Sequence, residues 1–159
     1  MFELQRVRDD HAAALLEFEL ANREFFARSI DDRGDEYFAR FDERHAALLA
    51  EQETGTCHFH VLVDEHGAVV GRFNLFDVAD GSAELGYRVA ARVTGRGVAK
   101  LGVRQVIDRA RDDYGLTRLT AGAGRANLAS LAVLRATGFE AVGDSDRGGI
   151  RHVRDLTTP

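Results

Sequence analysis

The sequence predicts an α+β fold, a mixed and mostly antiparallel sheet flanked by helices. Three observations predict it. Apolar residues recur at helical spacing up to Glu51, alternate at strand spacing from His58 to Val89, and return to helical spacing from Val98. Glycine and aspartate punctuate the middle run, as tight antiparallel turns require.

Taken in order, Phe2–Val7 can form a first strand, and Asp9 or Asp10 suits the N-cap of the helix that follows. In that helix Ala14, Leu15, Phe18 and Ala21 share a face, and Phe25 and Phe26 extend the pattern. A second helix is predicted over Glu36–Glu51, with Tyr37, Phe38, Phe41, His45, Leu48 and Leu49 on one broad face, and Gly55 ends the helical part. Strands follow at His58–Val63, Ala68–Val78 and Ala83–Val89, joined by turns at Asp64–Gly67 and Asp80–Ser82. In the last of these Leu85, Tyr87 and Val89 share one face; Glu84, Gly86 and Arg88 share the other.

A long helix is expected over Val98–Tyr114, carrying Val103, Val106, Ile107 and Ala110, with Gly115 as its stop. Leu116–Ala121 reads as a strand and Leu128–Thr137 as a short helix. Gly138 and Phe139 fit the glycine and hydrophobic positions of a Schellman motif. Strands around Ala141–Gly143 and Arg151–Leu156 would close a hairpin across Asp144–Gly149. No repeat, low-complexity tract or linker interrupts the 159 residues, so one domain over 1–159 is expected.

Composition narrows the function. A net charge of −5 opposes a general nucleic-acid binder. No apolar run reaches the length of a membrane span and residues 1–10 lack a signal-peptide core, so a cytoplasmic protein is expected. Cys57 is the single cysteine, which rules out an intrachain disulfide and leaves a thiol metal cage without ligands. His58 and His60 share a strand face, but a metal site needs further ligands, and none is assigned.

The segment Thr94-Gly95-Arg96-Gly97-Val98-Ala99-Lys100, between a strand and a helix, carries the chemistry. Small residues let its backbone approach a ligand closely. The first amides of the helix lack internal partners and point outward with the positive end of the dipole, an arrangement that binds phosphates. Arg96, Lys100 and Arg104 are placed on one helical face at this terminus. Cations there are unfavourable unless an anion joins them. Leu101 after Lys100 breaks the Walker pattern, and the preceding antiparallel meander excludes a dinucleotide fold.

The run Glu84-Leu85-Gly86-Tyr87-Arg88-Val89, followed by Gly95-Arg96-Gly97-Val98-Ala99 and a long helix, resembles the acetyl-CoA motif of the GNAT superfamily. Gly97 and Ala99 match its Gln/Arg-x-x-Gly-x-Gly/Ala pattern. Thr94 replaces the leading Gln/Arg, and Arg92 is the nearest substitute. Asn127 and Ser130, with Gly138-Phe139 downstream, resemble the signature of ribosomal-protein N-terminal acetyltransferases, which related antibiotic and metabolite acetyltransferases share. The place of the tyrosine that protonates the thiolate in many other members is Leu134.

The resemblance implies a three-layer α/β/α domain and an acetyl-CoA-dependent N-acetyltransferase without a metal. Glu84 would be the base and Ser130 the donor to the departing sulfur. Leu85, Tyr87, Val89, Gly95, Arg96, Gly97, Val98, Ala99, Lys100, Asn127 and Ser130 would bind the cofactor, with Tyr87 read as packing rather than as an acid. Asn22–Arg28 would build the acceptor wall, and His152 is a candidate for the acceptor groove. The acceptor stays open: a ribosomal-protein N-terminus, an amino acid, a polyamine or an aminoglycoside. A non-catalytic acyl-CoA-binding module is the alternative to an enzyme. Oligomeric state is not legible.

Overall fold

A computed structural model describes residues 1–157, so the last two residues of the expected domain lie outside the described part. After strand β1 (Glu3–Arg6) come helices α1 (Ala12–Ala21), α2 (Arg23–Ala27), α3 (Asp35–Ala39) and α4 (Phe41–Glu53). Strands β2 (His58–Val63), β3 (Val69–Ala79) and β4 (Ser82–Val89) form the meander. Helix α5 (Val98–Asp112), strand β5 (Arg118–Ala123), helix α6 (Leu128–Ala136) and the hairpin β6 (Glu140–Asp144) and β7 (Ile150–Asp155) complete the order. The seven strands form one sheet in the order β1-β2-β3-β4-β5-β7-β6. Every pairing among the described residues is antiparallel except that of β4 with β5.

Two expected boundaries were wrong. Neither Asp9 nor Asp10 is an N-cap: both lie inside a 3-10 turn, Asp9–His11, and α1 starts after it at Ala12. His11 closes this turn by accepting the Arg8 amide on Nδ1 at 2.8 Å, the reach-back from N3 that a glutamate or glutamine makes in a capping box. The single helix expected over Glu36–Glu51 is two, broken at Arg40 (φ −115°, ψ 32°), where no glycine or proline announces the kink. The Schellman motif after α6 is complete. Phe139 donates its amide to Leu134 O and Gly138 to Arg135 O, with Gly138 at φ +90°.

Helix α5 buries Val98, Gly102, Val103, Val106, Ile107 and Ala110 along one stripe, the spacing its sequence dictates. Each of the larger side chains contributes about 1.5–3 kcal/mol by leaving water. Gly102 sits directly over the Phe73 ring of β3, where a Cβ would collide with the ring atoms. Phe73 in turn stacks on Tyr87 of β4, centroids 5.6 Å apart and planes 12° apart. The turn that starts α5 is thereby tied to the sheet.

Charged groups also build the interior. Glu19 of α1 is 1% exposed and is met by three guanidinium groups: Arg33 at 2.9 Å, Arg72 at 2.9 Å and Arg88 at 3.2 Å. Burial works to raise the Glu19 pKa, but the Arg33 hydrogen bond and the three positive charges outweigh it and hold the carboxyl below its ordinary value. Burial, and then the Arg33 charge, pull Arg88 below the usual guanidinium range. Arg72 Nε is the one buried side-chain nitrogen or oxygen among the described residues that finds no partner.

His60 is fully buried, with Nδ1 2.9 Å from Phe73 O and Nε2 2.6 Å from the Tyr114 hydroxyl. A carbonyl only accepts, so Nδ1 carries the proton and Nε2 accepts from Tyr114. Burial pushes the His60 pKa down to about 3. His58 stacks on the other side of the same system, its ring 3.7 Å from that of Tyr114. Both histidines of this strand are therefore spent on Tyr114 packing.

Candidate active site

The site begins where the sheet opens. Strands β4 and β5 are paired from Ser82–Arg118 to Leu85–Ala121, and there the pairing stops. Gly86–Val89 continue on β4 without β5 beside them, while β5 stays attached to β7 through Ala123. A gap is left between two strands that are both held on their outer edges.

On one side of the gap lies a hollow of about 380 Å³. Tyr87, Arg88 and Val89 of β4 line it, with Thr94, Gly95 and Gly97–Lys100 from the turn and Asn127, Ala129, Ser130 and Val133 from α6. Phe25, Phe26, Ser29 and Ile30 close it from α2 and the loop beyond. Gly97 is the N-cap of α5 at φ +75°, the left-handed region that glycine tolerates, and it supplies no capping side chain. The first amides of α5 are thus left for a ligand. Open space surrounds the position a Cβ would take at both Gly95 and Gly97.

Around Ser130 the contacts are specific. Asn127 caps α6 by accepting the Ser130 amide on Oδ1 at 3.1 Å. Ser130 is therefore not the cap, and its hydroxyl lies 3.1 Å from that of Tyr87. Tyr87 is half-buried and faces the hollow rather than only packing, and burial raises its pKa. Leu134 is fully buried in the core, one turn further along α6.

A second hollow, of about 530 Å³, adjoins the other side of the gap. Its walls are Glu84, Leu85 and Gly86 of β4, Phe76 and Asp77 of β3, Gly122–Gly124 at the end of β5, Glu51 and Cys57, and Ser145 with Arg147–Gly149 from the β6–β7 turn. Successive residues of β4 line the two hollows, Glu84–Gly86 the second and Tyr87–Val89 the first. Glu84 is approached by Arg147 at 3.8 Å, a cation whose side chain is 82% exposed. An exposed pair of this length is weak and exchangeable.

The structure thus gathers Tyr87, Val89, Gly95, Gly97, Val98, Ala99, Lys100, Asn127 and Ser130 around one hollow, and sets Glu84 and Leu85 on the other. Arg96 precedes the helix and lines neither hollow, so of the expected three-cation face only Lys100 and Arg104, four residues apart on α5, share the helix. Arg92 does not stand in for Thr94; it reaches Asp64 at 3.2 Å. His152 is buried against its own strand, Nδ1 3.1 Å from Ile150 O, and lines neither hollow. Asp77, at φ +53°, and the Gly122–Gly124 stretch escaped the sequence reading, although the two glycines 122 and 124 were a usable signal. Among the described residues no group of three or more His, Cys, Asp or Glu could hold a metal ion, and no helix is long and apolar enough to cross a membrane.

The opened β4–β5 pair lies beside an uncapped, glycine-bearing helix start. Residues 2–140 match the acetyltransferase (GNAT) domain family, and the chain belongs to that family of acetyltransferases. It is 29% identical over 131 residues to a Bacillus subtilis (strain 168) protein described as the probable N-acetyltransferase YjcK, covering 77% of this chain and 71% of that one. The ribosomal-protein-S5-alanine acetyltransferase of Vibrio fischeri superposes with a TM-score of 0.90 at 19% identity, over 99% of this chain and 96% of its own. Mycobacterium smegmatis RimJ, solved in complex with CoA-disulfide, superposes with a TM-score of 0.85 at 25% identity, over 97% of this chain and 81% of its own.

Proposed function

We propose that the protein transfers the acetyl group of acetyl-CoA to a primary amine by direct attack, with the N-terminus of a ribosomal protein as the first candidate acceptor. One observation carries this reading: where β4 parts from β5 beyond Leu85 and Ala121, it lines both a hollow suited to a pyrophosphate-bearing thioester and a second hollow open to an acceptor. The similarity to RimJ, solved with a CoA disulfide, supports the choice of donor, and the likeness to ribosomal-protein acetyltransferases supports the choice of acceptor.

In this mechanism the amides of Val98–Lys100 and the Lys100 ammonium hold the pyrophosphate. The thioester lies in the gap, where β4 amides polarise its carbonyl. The acceptor enters past Glu84, displacing Arg147 as a cation displaces a weakly held cation. Glu84, directly or through water, takes the ammonium proton; the freed nitrogen attacks the carbonyl carbon, the C–N bond forms, the C–S bond breaks, and the proton left in excess on nitrogen passes to water. Ser130 stabilises the departing thiolate by a hydrogen bond.

A second reading is favoured by the acidic lining of the acceptor hollow. Glu51, Asp77 and Glu84 face a single cation, Arg147, which suits a polycationic acceptor such as a polyamine. Thiol release from acetyl-CoA with Ala- and Ser-terminated peptides, spermidine and free amino acids decides between the two readings. Turnover with none of them, despite CoA binding, would favour a non-catalytic acyl-CoA-binding module. For the acceptor that works, Glu84→Gln is expected to lower kcat most at low pH, where deprotonation limits the rate, and to leave CoA affinity unchanged. A pH profile identical to that of the parent enzyme would remove Glu84 from the mechanism.

A further inference from the structure

We infer that Tyr87 is a positioning residue that donates its hydroxyl proton to Ser130 Oγ, and so leaves the Ser130 proton free to face the sulfur of the bound coenzyme. The inference rests on the function proposed above.

The two hydroxyls are 3.1 Å apart, and either could be the donor by distance alone. The surroundings break the tie. The Tyr87 ring is pinned by its stack on Phe73, so the phenol oxygen has little freedom to turn away. The Ser130 amide is already taken by Asn127, which fixes where its Cβ sits at the start of α6. A serine hydroxyl has one proton to give. If Ser130 gave it to Tyr87, the serine would offer the thiolate only lone pairs, and the proton left to face the hollow would be the phenol's. If Tyr87 gives its own, Ser130 accepts on one side and donates on the other, and the chain of two hydrogen bonds ends on the anion.

A phenol is also the better donor of the two, and burial raises the Tyr87 pKa, so it keeps its proton well into the alkaline range. For the same reason Tyr87 does not hand its proton over. A thiol is the stronger acid, so the tyrosine orients and polarises Ser130 while the thiolate stays an anion. Leu134, one turn along α6, is buried in the core and has no proton to offer, so the donor in this hollow falls to the pair.

CoA itself, compared with desulfo-CoA, reports this arrangement without any acceptor. Calorimetric titrations at neutral pH and near pH 9.5 would be made on the parent protein, Tyr87→Phe, Ser130→Ala and the double variant. Tyr87→Phe keeps the ring and its stack, and thermal melts would verify the fold of each variant. Affinity for CoA in its thiolate form is expected to fall about tenfold in each single variant, the loss of one hydrogen bond to a charged group. The double variant is expected to fall no further, because both changes break one chain. Desulfo-CoA affinity is expected to be unchanged throughout.

If Ser130→Ala weakens thiolate binding and Tyr87→Phe does not, the positioning role is overturned while the proposed function stands. A double variant with the product of the two losses means that the hydroxyls act separately, and a larger loss for Tyr87→Phe makes the tyrosine the direct donor; both overturn the inference. If the parent binds neither CoA nor desulfo-CoA, the proposed function fails first and takes the inference with it.

Discussion

Two cationic regions of this chain differ in what answers their charge. At Glu19, three arginines from a loop and two strands converge on one carboxylate inside the molecule. At the Gly95–Lys100 turn, Lys100 projects from a helix start whose amides have no cap, and no carboxylate forms an ion pair with it among the described residues. The first region spends its cations on cohesion; the second leaves one without a counter-charge. In a chain whose positive side chains are arginine except for Lys100, abundance says nothing about which is which. The position of the counter-charge does.

The contrast breaks most readily at Glu19. Glu19→Ala leaves three guanidinium groups without their anion and is expected to cost about 3–5 kcal/mol of stability in urea titrations. A loss under about 1 kcal/mol would mean that water or rearranged arginines replace the carboxylate at little cost. At the turn the expectation is reversed. Gly97→Val forces a β-branched residue into the left-handed region and crowds the ligand side. CoA affinity is expected to drop at least a hundredfold, roughly 2.7 kcal/mol, while the fold is kept. Calorimetry with circular dichroism checks both halves, and unchanged affinity would remove the turn from the binding site.

Acid sharpens the picture of the interior. The His60 pKa lies at about 3 in the folded chain, against an ordinary value of 6.5. Below pH 6.5 the unfolded chain binds a proton that the folded one refuses. Stability is therefore full above pH 6.5 and is lost as pH falls from there towards 3. Between pH 7 and pH 5 this one residue is expected to remove about 2 kcal/mol. His60→Gln should flatten that part of the stability–pH curve, and an unchanged slope would assign it elsewhere. The smallest effect carries the most telling sign. Lys100→Met removes a cation from a helix N-terminus, so the free protein is expected to gain about 0.3–1 kcal/mol while CoA binding weakens severalfold. A loss of both would make Lys100 a structural residue.

The strands were legible in the sequence to within about two residues, because alternation and the glycine–aspartate turns report one-dimensional information. The turn was legible for a similar reason: small residues with no capping side chain have few uses. Arg72 and Arg88 were not, since a charged residue on an alternating strand reads as solvent-facing until a buried carboxylate on a distant helix is known. The break at Arg40 carries no local signal. Tyr87 fits a core pattern in the sequence and lines a hollow in the structure, because the strand beside it departs two residues earlier.

The contact of Gly102 with Phe73 has a consequence for how this site can change over evolutionary time. The separation of α5 from the sheet is set by a residue with no side chain. Any replacement at 102 must lift the helix or turn the Phe73 ring, and Phe73 bears on Tyr87. A single methyl group at 102 thus displaces the start of α5 and the Tyr87 ring together. Position 102 is a lever on the shape of the hollow that a drifting lineage can pull without touching its lining, and a screen restricted to that lining would miss it.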